Sequence, residues 1–422
     1  MKTINKNNNI AIVIGSGFSA AFTNGSSPPI GNKPLPTLLD FSSALVEYML
    51  KSKGILSKWA PFSKKTLMKA IEILQVNENL GDTKYDFEQL LSLLSTQKYI
   101  IDSGIFSSKF YKEQSENINR DVLDCIIYFI PHLFADHLSI DKKLQKNRNL
   151  FYSVNQETII RTFQKHIWDI VDNNTVKFIS FNYDGILEAF LDCDLTANQR
   201  GEKPIFRYLP QISHGIPLSM PEKIYYQQYY EDRLKMFSTA TQVIKPHGSI
   251  HFFSLQQEIS KLANVPSLVV LHPRFDIGFN PETMQRDIKD IPAWEHMDPV
   301  PFIVPPIINK ETFLALDYTK IMIKKMTQVL IEADKIISIG FSIPSSDLYI
   351  SSLFDLIAKV KEWKTSKKIA LIYKKGKKDR TRSNWERIFG KDSIGFIEED
   401  GLPTSTEENI NRFWEKINTF IH

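Results

Sequence analysis

The stretch that most constrains this chain is IAIVIGSGFSAAF, residues 10–22. Ile10, Ile12, Val13 and Ile14 make a short β-branched run of the kind that becomes a buried parallel strand. Gly15, Ser16 and Gly17 follow at once, then Phe18, Ser19 and two alanines that can open a helix. A strand that passes through a glycine turn into a helix aims backbone N–H groups at an anionic ligand. Glycine lets the backbone approach closely, and the helix dipole favours a phosphate. The same letters also suit a plain strand-to-helix turn, because the third glycine of the dinucleotide-binding pattern is missing. The remaining strand ends have to decide between the two.

Those strands alternate with helices. Apolar runs recur at 176–181 (VKFISF), 241–244, 268–271, 302–304, 335–339 (KIISI), 368–373 (KIALIY) and 394–397. Helical patterns lie near 310–333, from 345 to about 363, and at the end of the chain, where Ile410, Phe413, Ile417 and Phe420 share a stripe. This alternation predicts an α/β fold, a Rossmann-like parallel sheet covered by helices on both faces. Between the first two strands the chain reads as helix, as in YDFEQLLSLL, RDVLDCIIYFIPHLF and TIIRTFQKHIWDIV. Thr37, with Asp40 three residues on, is placed to cap an earlier helix whose Phe41, Leu45 and Tyr48 line one face. The resulting division is a discontinuous α/β domain, residues 1–37 and 174–422, with a mainly helical insertion at 38–173. The intervening segment 24–36 is too rich in Gly, Ser, Pro and Asn for a regular element.

Composition narrows the class. The net charge of +4 on 422 residues is too small to argue for nucleic acid by itself. Only 359–382 is strongly basic, with Glu362 and Asp379 its sole acids. It could meet a nucleic-acid backbone, but Trp363 and Tyr373 are its only aromatics and do not interleave with the charges as a stacking platform. The two cysteines, Cys125 and Cys193, form neither a metal-binding spacing nor a disulfide framework, so no metal is expected and a cytoplasmic location fits. No apolar run is long enough for a membrane span.

In open α/β sheets ligands bind beyond the carboxyl ends of the strands. The residues there are Gly15-Ser16-Gly17, then Asn182-Tyr183-Asp184, then Pro246-His247-Gly248-Ser249, then Gly340-Phe341-Ser342 with Asp347 just beyond. Each has a structural reading as well: Asp184 and Ser19 serve equally as helix caps, and a histidine is more often a core residue than a base. As an ordered set, GSGFS, FNYD, KPHGS and GFSIPSSD resemble the sirtuin superfamily in its prokaryotic sirtuin-like branch. LPTLLDF and YDFEQLL add to that likeness, which spans residues 10 to about 372.

The resemblance implies NAD⁺ as the molecule bound, in the α/β domain. Gly15, Ser16, Gly17, Phe18 and Ser19 would take the pyrophosphate, and Gly340, Ser342 and Asp347 the second phosphate-and-ribose segment. Position alone, beyond the carboxyl edge of the 368–373 strand, would put Lys374 or Lys375 near the adenosine end. Asn182 would hold a ribose or a water near C1′, His247 would act as the base, and Asp184 would orient a hydroxyl or stabilise positive charge. A histidine, with an ordinary pKa of about 6.5, exchanges protons at neutral pH. The zinc module of sirtuin deacylases needs four cysteines, and the arginine-containing loop after their glycine turn has no equivalent here. Both absences weigh against deacylation. With water as the acceptor, NAD⁺ would be hydrolysed to nicotinamide and ADP-ribose, the chemistry of anti-phage effectors that deplete NAD⁺ in abortive infection. Control would then come from a homo-oligomer or from a partner such as a HerA-type ATPase or an Argonaute. A sensor or scaffold that holds NAD⁺ or ADP-ribose without turnover is the alternative.

Overall fold

A computed structural model describes residues 8–25, 35–36, 40–51, 62–81, 84–102, 120–138, 157–192, 241–254, 268–270, 300–304, 317–344, 347–360, 368–376 and 380–422. Nine strands appear in it: β1 (Asn9–Ile14), β2 (Thr175–Ser180), β3 (Gln242–Ile244), β4 (Gly248–Ser254), β5 (Leu268–Val270), β6 (Val300–Ile303), β7 (Lys335–Ile339), β8 (Ile369–Ile372) and β9 (Ile394–Glu398). Six of them form one parallel sheet in the order β3-β2-β1-β7-β8-β9. Counted along the chain within that sheet, the order is 3-2-1-4-5-6, the Rossmann arrangement. The direction of winding reverses between β1 and β7, so the crevice of the switch point lies at their carboxyl ends.

The strands at 268–270 and 300–303 lie outside this sheet. They flank β4 in a separate antiparallel sheet, β5-β4-β6, a departure from the single parallel sheet predicted from the apolar runs. The strand β4 begins inside the KPHGS turn itself, and its Gly248 pairs with Ile303. His247 is therefore held between two sheets, and its carbonyl accepts from the Val304 N–H at 2.8 Å.

The helices are α1 (Ser16–Ala20), α2 (Phe41–Lys51), α3 (Lys64–Glu78), α4 (Phe87–Asp102), α5 (Arg120–Leu138), α6 (Glu157–Asn173), α7 (Ile186–Asp192), α8 (Asp317–Glu332), α9 (Leu348–Val360), α10 (Thr381–Phe389) and α11 (Glu407–Ile421). A π-helical turn, Ala21–Gly25, continues α1. The predicted cap Thr37 lies outside the described residues, as do the first part of the 310–333 helix and most of 24–36. The ends of that last segment are pinned: Asn24 Nδ2 donates to the Leu35 carbonyl at 3.3 Å and Asn24 Oδ1 accepts from the Leu35 N–H at 3.1 Å.

Successive side chains on a strand point to opposite faces, and in β1 this feeds two cores. Ile10, Ile12 and Ile14 pack with helices α2–α6 and α11 on one face. Ala11 and Val13 face α8, α9 and α10 on the other. Fully burying an isoleucine or phenylalanine is worth about 1.5–3 kcal/mol, so a strand apolar on both faces is fixed in its layer from both sides. The four helices α2–α5 that follow β1 share the first core rather than building their own. The helix α6 is the crossover into β2, and the apolar stripe of α11, through Ile410, Phe413 and Ile417, packs beside it.

Candidate active site

The two glycine turns meet at the switch point. A Cβ on Gly15 would lie 2.5 Å from the Gly340 carbonyl oxygen, and one on Gly340 would lie 2.4 Å from the Gly17 Cα. Gly15 N–H donates to the Ile339 carbonyl at 3.0 Å and Gly17 N–H to the Gly340 carbonyl at 3.2 Å. Phe18 N–H donates to the Gly15 carbonyl at 2.9 Å. Three N–H groups of the predicted pyrophosphate cradle are thus spent inside the protein, and these glycines are required by the contact of one turn with the other.

Asn182, just past the end of β2, reaches across to the first turn. Its Nδ2 donates to the Gly15 carbonyl at 3.0 Å and to Ser19 Oγ at 2.8 Å. Ser19 in turn donates its single hydroxyl proton to Asp184 Oδ2 at 2.7 Å. Because that carboxylate and the Gly15 carbonyl only accept, the amide has to present its NH₂ to both Ser19 and Gly15. Its carbonyl oxygen Oδ1 remains as the acceptor for anything outside this network. Asp184 Oδ1 meanwhile caps α7 through the Ile186 N–H at 3.0 Å, so the helix-cap reading of Asp184 holds along with its place in the cluster.

An Asn182→Asp substitution tests this chain of donors. It sets a carboxylate against the Gly15 carbonyl and a Ser19 hydroxyl whose proton is already committed, at a cost of about 1–3 kcal/mol. Urea unfolding is expected to read that loss, and Asn182→Ala, which leaves smaller groups unpaired, is expected to lose less.

His247, past the end of β3, is 7% exposed. Its Nε2 lies 3.1 Å from Oδ2 of Asp347, a carboxylate 1% exposed whose Oδ1 accepts the Ile350 N–H at 3.0 Å near the start of α9. The sequence reading gave Asp347 to the ligand; here it is the partner of His247. In the neutral ring the carboxylate selects the tautomer with its proton on Nε2, and Nδ1 is then the basic nitrogen. The imidazole meets the Phe181 ring edge-to-face at 5.2 Å, and Phe181 stacks on Phe341 at 4.1 Å. Phe181 precedes Asn182, and Phe341 follows Gly340. One aromatic stack therefore joins the ends of β2 and β7 and gives His247 an apolar wall.

The GFSIP segment is held under strain. Gly340 has φ +64°, and buried Ile343 sits at φ +50°, where a β-branched residue is an outlier. Three consecutive carbonyls are tied down from α10. Trp385 Nε1 donates to Phe341 O at 2.9 Å, and Asn384 Nδ2 donates to Ser342 O and to Ile343 O, each at 3.1 Å. Nothing in the sequence marked Asn384 and Trp385, since their partners are backbone atoms far away in the chain.

Lys374 lies past β8, exposed, and forms a backbone bridge to Asp400 on the β9 side of the sheet. No described contact joins it to the cluster at β1, β2, β3 and β7. Elsewhere in the basic stretch, Lys375 pairs with Glu399 at 2.6 Å and Arg382 with Glu386 at 2.7 Å. Among the described residues no group of His, Cys, Asp and Glu is arranged to hold a metal ion, and no helix is long and apolar enough to cross a membrane.

Fold and site together define a Rossmann-like α/β protein with two buried polar clusters, Asn182–Ser19–Asp184 and His247–Asp347, at the carboxyl edge of its sheet. No protein-family model and no curated protein matches the chain.

Proposed function

We propose that this protein is an NAD⁺ hydrolase of the sirtuin-like kind, which cleaves the nicotinamide–ribose bond and transfers ADP-ribose to water. The observation that carries this reading is the pairing of Asn182 and His247 at neighbouring strand ends. Each is buried and oriented by a partner of its own, Ser19 with the Gly15 carbonyl for one and Asp347 for the other. Departure of neutral nicotinamide leaves an oxocarbenium-like centre at C1′, so the site needs no strong nucleophile. Asn182 Oδ1 accepts from the water that adds to C1′ as the C1′–N bond breaks. The proton that water gives up passes to His247, whose imidazolium Asp347 stabilises. The products are nicotinamide, ADP-ribose and a proton returned to solvent.

The arrangement of N–H donors moves the phosphate part of this reading. With Gly15, Gly17 and Phe18 already bonded, the turns act chiefly by setting the backbone, and the polar side chains carry recognition. In a cell such an activity would serve NAD⁺ depletion in anti-phage defence, restrained by assembly or by a partner protein until infection.

Mass spectrometry of NAD⁺ incubated with the purified protein tests the proposal. The expected result is equimolar nicotinamide and ADP-ribose. Saturable binding of NAD⁺ without nicotinamide, alone and in cell extract, would replace the hydrolase with a sensor or scaffold. Release of acetyl groups from a peptide only when NAD⁺ is present would instead revive a deacylase.

A further inference from the structure

The turn after β2 and the turn after β3 are joined by one side chain, that of Lys245. It is fully buried, two residues before His247. Its Nζ donates to the Asp184 carbonyl at 2.6 Å and to Glu188 Oε1 at 2.6 Å, and Glu188 is 1% exposed. The Lys245 carbonyl accepts from the Tyr318 hydroxyl at 3.1 Å. Glu188 Oε2 has no hydrogen-bond partner among the described residues, and burial pushes the Glu188 carboxyl above its ordinary range against the pull of Lys245. Burial and then the charge of Glu188 push the Tyr318 hydroxyl well above its own range.

For stability alone this pair is a poor device. Desolvating two charges costs so much that an apolar pair of similar volume often serves as well or better. What an apolar pair cannot supply is a directed bond from the end of β3 to the Asp184 carbonyl. That carbonyl belongs to the residue whose carboxylate accepts from Ser19 and so orients Asn182. We propose that Lys245 is a positioning residue, a brace that fixes the Asn182–Ser19–Asp184 cluster relative to His247; the proposal rests on the hydrolase reading. Glu188 gives the Lys245 amine its second acceptor and so holds the brace in the core.

A Lys245→Met/Glu188→Leu double variant removes both charges and the brace while leaving no lone buried ion. It is expected to unfold at or above the wild-type urea midpoint. Its kcat for nicotinamide release is expected to fall about 10²-fold, the scale of a 1 Å misplacement, with KM for NAD⁺ little changed. Glu188→Gln is the conservative control, because its amide oxygen still accepts from Lys245 and a lysine amine, charged or neutral, still donates to Asp184. It is expected to keep most of the turnover. The ¹⁵N resonances of the His247 ring are expected to move in the double variant and to stay in Glu188→Gln. A folded double variant with wild-type kcat, or with raised KM alone, overturns the brace, and so does an unmoved His247 resonance. If the wild-type protein releases no nicotinamide, the hydrolase reading falls, and the resonance alone decides the brace.

Discussion

Alanine at position 247 lowers nicotinamide release about 10²–10⁴-fold, the range that a positioned general base contributes. The loss is expected in kcat, since no part of the proposed role of His247 is to hold the dinucleotide in its ground state. The fold should survive: Asp347 keeps its bond to the Ile350 N–H, and the space vacated lies against the Phe181 and Tyr183 rings. Asp347→Asn is the sharper companion. If its NH₂ turns toward the ring, Nε2 has to accept, and the proton moves to Nδ1, the nitrogen the reaction needs bare. A wrong-tautomer loss of this kind reaches about 10⁴-fold, with little change in volume. The two variants should therefore fail alike in turnover. Asp347→Asn differs little from wild type in thermal unfolding, and His247→Ala, which takes a partner from a buried carboxylate, loses about 1–3 kcal/mol. Turnover within a few fold of wild type in a folded His247→Ala protein would remove the base from the mechanism.

The central sheet was legible because buried parallel strands are written as continuous β-branched runs, as in Ile10–Ile14 and KIISI. The positions of Asn182 and His247 followed from where those runs stop. The second sheet was not legible. Its middle strand, 248–254, starts in the KPHGS turn and was not read as a strand. Its outer strands are three and four residues long, and nothing in LVV says whether a partner runs parallel or antiparallel. Lys245 was missed although it lies inside a motif read letter by letter, because a lysine in a basic chain is ordinarily a surface residue, and its two acceptors are 61 and 57 residues away in sequence. The glycines carried an ambiguity that no single sequence resolves. A position emptied of its Cβ for a phosphate and one emptied for a neighbouring backbone are spelled the same way. The acceptors of the Gly15 and Gly17 N–H groups, Ile339 O and Gly340 O, are what separate the two.

The contact between the turns makes Gly340→Ala one of the most destabilising small substitutions available to this chain. Its new Cβ would fall 2.4 Å from Gly17 Cα, 2.6 Å from Gly17 C and 2.6 Å from Phe18 N. All three are backbone atoms, so no flexible side chain can swing away. The residue also sits at φ +64°, where a side chain costs about 1–2 kcal/mol, and forced overpacking adds about 1–3 kcal/mol. Two other glycines separate these terms. Gly81 has φ +57° with nothing within 4 Å of a Cβ, so Gly81→Ala carries the backbone cost alone. Gly15 has φ −124° but a Cβ 2.5 Å from the Gly340 carbonyl oxygen, so Gly15→Ala carries the clash alone. Urea unfolding should rank the losses Gly340 first, with Gly15 and Gly81 each smaller. The Gly340 loss, about 2–5 kcal/mol in all, is a large part of a typical stability of about 5–15 kcal/mol. A Gly340→Ala protein that unfolds with the Gly81→Ala midpoint would mean that the turns do not touch, and that the glycines are open to a ligand after all.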